Sequence, residues 1–241
     1  MKKYERHLIK RDELVTVFEK SSFYIEHHAR KIALLGGGVV LLAIAGFALR
    51  ASMTAREDKA SFLMGQIIQT YRAPVAASLE SLQQAVPGSK TYTTTEERDQ
   101  KVLELTDEVL SRYASSRSAP KAMYYKGLAL TGLKKPEEAA KALQALVTRH
   151  PADFLAPMAR YQLGRLREQE GNASEALIQY QALAEDAQGL FPKEEGLMGV
   201  ARCQEALGRK DEAIRTYRKI IGDFPESDYQ FEARKRIEEL S

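Results

Sequence analysis

Small and bulky residues recur every 37 positions through the C-terminal two-thirds of the chain, and that period constrains the fold more than any other feature. Gly127, Gly164 and Ala201 form one column, Ala139, Ala176 and Ala213 a second, and Leu143, Tyr180 and Tyr217 a third. Gly171 and Gly208 keep the same spacing, while Pro151 and Pro225 lie two periods apart. Such a period marks a supersecondary unit that buries its apolar face only by stacking on its neighbours. A small residue in the first helix lets the second helix approach its backbone, and the Ala column is the matching contact. The Leu or Tyr four residues beyond that Ala shares its helical face and fills the gap to the next unit. Pro then stops the helix and forces a turn.

These columns predict three helix-turn-helix units, at residues 120–151, 157–192 and 193–225. Arg112-Tyr113-Ala114 stands one period before Arg149-His150-Pro151, which makes 95–113 the second helix of an earlier, degenerate half-unit. Its partner is expected around 59–71, with Pro87-Gly88 and a Thr cluster placing an irregular insertion at 74–94. Residues 228–240 read as a single helix that caps the last unit. The small–small–aromatic–Pro order resembles the tetratricopeptide repeat, most clearly in GNASEALIQYQALAED and GRKDEAIRTYRKIIGDFP. The chain departs from that pattern in having no Trp, and in carrying Gln188 where the second unit should end in Pro, with Pro192 following Gly189.

A second feature lies upstream. Residues 32–49 form an 18-residue run without a polar side chain, bounded by Arg30, Lys31 and Arg50. As a helix it spans about 27 Å, close to the ~30 Å hydrocarbon core of a bilayer, and its flanking cations can snorkel. A cleaved signal peptide is the competing reading, but 31 residues precede the run, more than a short leader carries. In that tail Asp12 is expected to cap a helix with Leu14, Val15, Phe18 and Ile25 on one side. Residues 1–31 hold eight Lys/Arg and the 31 from Arg50 onward hold four, which places the N-terminus in the cytoplasm and the repeats across the membrane. Gly36, Gly37 and Gly38, with Ala33, would allow another membrane helix to approach.

The expected fold is therefore all-α: an amphipathic tail (1–31), one transmembrane helix (32–49), a helical linker with the half-repeat (50–119), an α-solenoid of three tetratricopeptide-like repeats (120–227) and a capping helix (228–241). Residues 51–241 carry 27 Lys/Arg against 28 Asp/Glu, so the large domain lacks the basic face that nucleic acid requires. Catalysis is argued against by omission. Beyond the tail only His150 and Cys203 remain of their kinds, His27-His28 sits beside the apolar run, and no nucleotide-binding or nucleophile-elbow motif occurs. No catalytic, cofactor-binding or metal site is expected, and Cys203 reads as a small core residue.

Stacked helix pairs curve, and their first helices line a concave surface suited to binding polypeptides. Carrying over the repeat register, the expected groove positions are Lys121, Tyr124 and Leu128, then Met158, Tyr161 and Arg165, then Met198, Arg202 and Glu205. Two Tyr, two Met and several cations make an adaptable peptide-binding surface. The layout of short tail, one membrane helix and extracytoplasmic repeats resembles the bacterial YfgM-type family. That resemblance implies an inner-membrane ancillary subunit of the SecYEG translocon working with periplasmic chaperones. The alternative is a structural or homo-oligomeric subunit of a transport, cell-division or envelope-assembly complex, held through its membrane helix and tail.

Overall fold

The computed structural model describes residues 5–75, 91–186 and 189–241, with side chains in the first stretch given from residue 29 onward except at 32, 35 and 36. The expected amphipathic stripe of the tail, His27-His28, Gly36, the centre of the 74–94 insertion and Gln188 lie outside what is described. Nine α-helices and no strand occur among the described residues: α1 (Glu5–Arg72), α2 (Thr95–Arg112), α3 (Ala119–Gly132), α4 (Pro136–Arg149), α5 (Ala156–Gln169), α6 (Ala173–Ala184), α7 (Lys193–Ala206), α8 (Lys210–Asp223) and α9 (Gln230–Leu240). A lone bridge joins Val75 to Tyr92. The chain divides into two compact units, residues 1–55 and 56–241, and α1 contributes to each.

In the first unit the helix is continuous, so Asp12, expected as a cap, lies inside it. From Gly37 onward α1 is long and apolar enough to cross a membrane, and none of its most apolar stretch is covered by protein. Leu42 and Phe47 are each 75% exposed. A core helix of a soluble domain would bury that surface, at roughly 25 cal/mol per Å².

The second unit is the solenoid, with α2 through α9 packing each on the next. The end of α1 supplies Met64 and Ile67 to a core shared with Val102, Leu105 and Val109 of α2 and Ala122 and Ala129 of α3. The helix around 59–71 is thus the partner of α2, as a continuation of α1 rather than a separate element. Thr93 and Thr94 start α2 as a capping pair: the Thr94 hydroxyl accepts from the Glu97 amide at 3.0 Å, and the Glu97 carboxylate accepts from the Thr93 hydroxyl at 2.6 Å.

The columns of the sequence become the contacts of the core. Ala139, Ala176, Ala213, Leu143, Tyr180 and Tyr217 are all fully buried. A Cβ placed on Gly127 would stand 2.5 Å from the Leu143 Cγ, and one on Gly164 would stand 2.8 Å from the Tyr180 ring. Gly199 of α7 meets the same ring from the next unit, where a Cβ would come to 2.4 Å. The Tyr180 ring therefore lies between two helix backbones, each bare of side chain at the point of contact.

The turn inside each unit also repeats. Gly171 (φ +76°) and Gly208 (φ +72°) close it in the left-handed region, and the third member of the column is Lys134 (φ +58°). The residue after each donates its amide to a carbonyl five back: Lys135 to Leu130, Asn172 to Arg167 and Arg209 to Gln204, at 2.8–2.9 Å. Between units, Tyr113, His150 and Phe224 share a similar φ at the ends of α2, α4 and α8, of −133°, −132° and −130°. Pro192 does not close the second unit. It is the N-cap of α7, equivalent to Leu155 before α5 and Tyr229 before α9, so it begins the third.

Three substitutions test this packing. Lys134→Gly relieves a left-handed non-glycine residue and should raise stability by up to about 1 kcal/mol in urea titration. Gly199→Ala forces a methyl into the Tyr180 ring and should cost about 1–3 kcal/mol, whereas Gly222→Ala, with nothing within 4 Å of the added carbon, should gain about 0.5–1 kcal/mol from helix propensity.

Candidate functional site

The first helices α3 and α5 present the expected positions of the first two units together. Lys121 is exposed, with its Nζ 5.8 Å above the Phe154 ring. Tyr124 is half-buried, edge-on to Tyr125 at 6.0 Å, and Leu128 beside it is also half-buried. One unit on, Met158 is exposed, and the Arg165 guanidinium stands 6.0 Å from the Tyr161 ring. Tyr161 itself packs against Phe191 at 5.2 Å and approaches Tyr180 at 6.2 Å. Burial, reinforced by the Glu195 carboxylate, pushes the Tyr161 hydroxyl up to about 12, so it is a neutral donor at physiological pH. The combination is a rigid aromatic surface edged by cations, with a flexible Met thioether and the exposed Phe154 ring added to it.

In the third unit the structure corrects the expected set. Met198 is fully buried, in the core with Ala213, Tyr217 and Ile220. The 37-residue counterpart of Met158 is Glu195, and Met198 is the counterpart of Tyr161. The expected third-unit set ran ahead of the period, taking in Glu205 and leaving out Glu195, and its shared member Met198 is covered where its counterpart Tyr161 is only half-buried. Arg202 and Glu205 are held in ion pairs. Phe154 and Phe191 were missed although they too stand 37 apart: Phe154 sits in the turn before α5, 54% exposed, and Phe191 is buried against Tyr161.

The ion pairs form two three-residue staples between units. Tyr180 of α6 donates to Glu168 of α5 at 2.7 Å, and Arg202 of α7 donates to both Glu168 oxygens at 2.8 and 3.2 Å. One unit on, Tyr217 of α8 donates to Glu205 of α7 at 2.6 Å, and Arg236 of α9 reaches the same carboxylate, its Nε at 3.1 Å. Burial alone would raise the Glu168 carboxyl, but hydrogen bonds from Arg202 and Tyr180 outweigh it and hold the group below the usual carboxylate range. Burial and Glu168 push the Tyr180 hydroxyl well up. In the first unit Leu143 replaces the Tyr and Thr131 replaces the Glu. Thr131 simply donates back to the Gly127 carbonyl at 2.9 Å, and Arg165, the counterpart of Arg202, is left exposed beside Tyr161.

Little here is arranged for reaction. Cys203 is buried, and that burial pushes its thiol up to about 11, leaving it protonated. Among the described residues no three His, Cys, Asp or Glu side chains converge as a metal site.

Comparison with known proteins agrees with this geometry. The tetratricopeptide repeat family matches residues 121–153 and 195–227, the first and third units. No curated protein matches the chain. Among solved structures, a putative kinesin light chain of Podosopora anserina with nearly identical TPR-like repeats superimposes with a TM-score of 0.50 at 14% identity, over 60% of this chain and 78% of that one. PilW, a type IV pilus biogenesis factor, aligns with a TM-score of 0.47 at 16% identity over 60% of each chain. MamA aligns at 0.43 and 20% identity over 50% of this chain and 61% of its own.

The staple predicts a pH signature. The folded Glu168 carboxyl lies below its unfolded value near ~4.3, so its contribution is present above that value and disappears as pH falls through the folded one. Glu168→Gln should cost about 1–3 kcal/mol at pH 7, with the difference from wild type shrinking toward zero in urea titrations below about pH 4.

Proposed function

We propose that this tetratricopeptide-repeat chain is a membrane-anchored scaffold or chaperone-like adaptor of the bacterial cell envelope, binding partner or client polypeptides on the first-helix face of its repeats. The carrying observation is that Lys121, Phe154, Met158 and Arg165 stay exposed around the half-buried Tyr124 and Tyr161, whereas Met198, the third-unit counterpart of those two tyrosines, is buried completely. Aromatic anchors that are already packed lose little rotamer freedom on binding, which is what makes Tyr effective at interfaces. The uncovered apolar stretch of α1 supports anchoring in a bilayer. The excess of Lys/Arg before it supports a cytoplasmic N-terminus, with the repeats in the periplasm and the inner membrane as host. Within that reading the Sec translocon and periplasmic chaperones are the partners the layout implies.

A second reading is favoured by the exposure of Val39, Leu42 and Phe47 along one helix: the membrane helix itself contacts an integral-membrane partner, and the repeats serve as spacer. A photo-crosslinker placed at Met158 in the full-length chain, followed by detergent solubilisation and affinity purification, separates the two. Capture of defined proteins above a crosslinker at Gly222 is the expected result. Capture that is equal at the two positions and lost when residues 1–31 are deleted would support the spacer reading and overturn the first.

A further inference from the structure

The second helices carry a feature that the first-helix face does not have. On α4, Lys141, Ala145 and Arg149 follow one another at successive turns and form a ridge lining two grooves. One groove, of about 530 Å³, runs between α4 and α6 over Leu163 of α5, with Ile178 of α6, 61% exposed, at its edge. The other, of about 350 Å³, lies on the α2 side of the ridge, over Met123 and Leu130 of α3. Both floors are therefore apolar.

The charges along these grooves are unevenly satisfied. Glu138 is paired with Lys135 at 3.4 Å, Glu175 with Arg167 at 2.9 Å, and Lys126 with Asp107 at 2.6 Å. Lys141 and Arg149 are exposed and have no carboxylate partner among the described residues. The Gln179 Oε1, which borders the larger groove, is buried and accepts no hydrogen bond. A buried acceptor without a donor costs free energy until something supplies one.

We propose that this ridge docks an acidic amphipathic segment of a partner protein, independently of the first-helix face. Its carboxylates pair with Lys141 and Arg149, and its apolar side chains enter the two grooves. The small Ala145 between the cations lets the segment's backbone come close. The ridge cations are eight residues apart on one helix, about 12 Å, so the complementary carboxylates lie two turns apart on a helix or about four residues apart on an extended chain. Nucleic acid fits this surface less well. Two free cations neutralise only two phosphates, and the apolar floors would be left uncovered.

The test uses the full-length chain in detergent micelles and fluorescence anisotropy. The probe is a fluorescein-labelled helical peptide of Leu and Ala carrying two Glu two turns apart, set against the same peptide with Lys for Glu. The acidic peptide should bind and the basic one should not, and binding should weaken with salt. Lys141→Glu with Arg149→Glu should reduce affinity about fivefold to tenfold, as two exposed ion pairs allow. Lys210→Glu with Arg218→Glu on α8, the same change in net charge elsewhere, should leave it unaltered. Circular dichroism confirms folding of each variant, and if the first fails to fold, Lys141→Gln with Arg149→Gln replaces it. The proposal is overturned if the acidic peptide does not bind, if both peptides bind equally, if both charge reversals act alike, or if a single-stranded oligonucleotide outcompetes the acidic peptide at the ridge.

Discussion

The solenoid depends on one repeated contact: a bulky side chain of a second helix seated against a first helix at a glycine or alanine, where little or no side chain holds it away. Tyr180 shows it in its fullest form, with Gly164 beneath the ring and Gly199 above it. Each glycine forfeits up to about 1 kcal/mol of helix propensity. In exchange the ring is enclosed on both faces and fully buried, and an aromatic side chain buries about 150–250 Å² in this way. The arrangement also couples the units, because the same ring touches the first helix of its own pair and that of the next.

Burying a tyrosine so completely leaves its hydroxyl to be satisfied, and this accounts for the staples. Where the column holds Tyr180 or Tyr217, a glutamate stands twelve residues earlier to accept from it. Each glutamate is then neutralised by an arginine from the helix two further on. Where the column holds Leu143 there is no hydroxyl, no glutamate and no staple. The polar contacts between units are thus a consequence of the choice of core side chain, and they tie α5 to α7 and α7 to α9 more tightly than apolar stacking alone.

How much of this could be read beforehand follows the same logic. Positions that repeat because backbone proximity demands a small residue, such as Gly127, Gly164 and Ala201, announce themselves, since only two or three residue types fit. Phe154 and Phe191 lie on the same period, but one is solvated and the other buried, so the column has no single environment to betray. Lys134 carries no sign of a left-handed turn, and is recognised only because Gly171 and Gly208 occupy the equivalent places. Met198 of the third unit failed for a packing reason: it stands in the column of the half-buried Tyr161, but α8 covers it completely with Ala213, Tyr217 and Ile220, and the period does not tell how closely the next helix packs. The staples were invisible because Glu168 to Arg202 and Glu205 to Arg236 span 34 and 31 residues, and neither spacing is the period.

The junction between the second and third units shows why the repeat persists where its sequence is weakest. The other inter-unit turns share a similar φ at Tyr113, His150 or Phe224, but here α6 ends at Ala184 and α7 begins only after Pro192. The connection carries its own devices: Gly189 at φ +67°, and the Leu190 amide donating to Asp186 at 3.2 Å. Phe191 then folds back onto Tyr161, and Gly196 brings α7 so near the end of α6 that a Cβ would stand 2.8 Å from the Ala184 nitrogen. The Tyr180 clamp and the Glu168 staple cross this same junction. A turn that departs from the pattern is therefore held by side-chain contacts that cross it. The stacking geometry survives the loss of the usual proline because it is specified by what the helices bury.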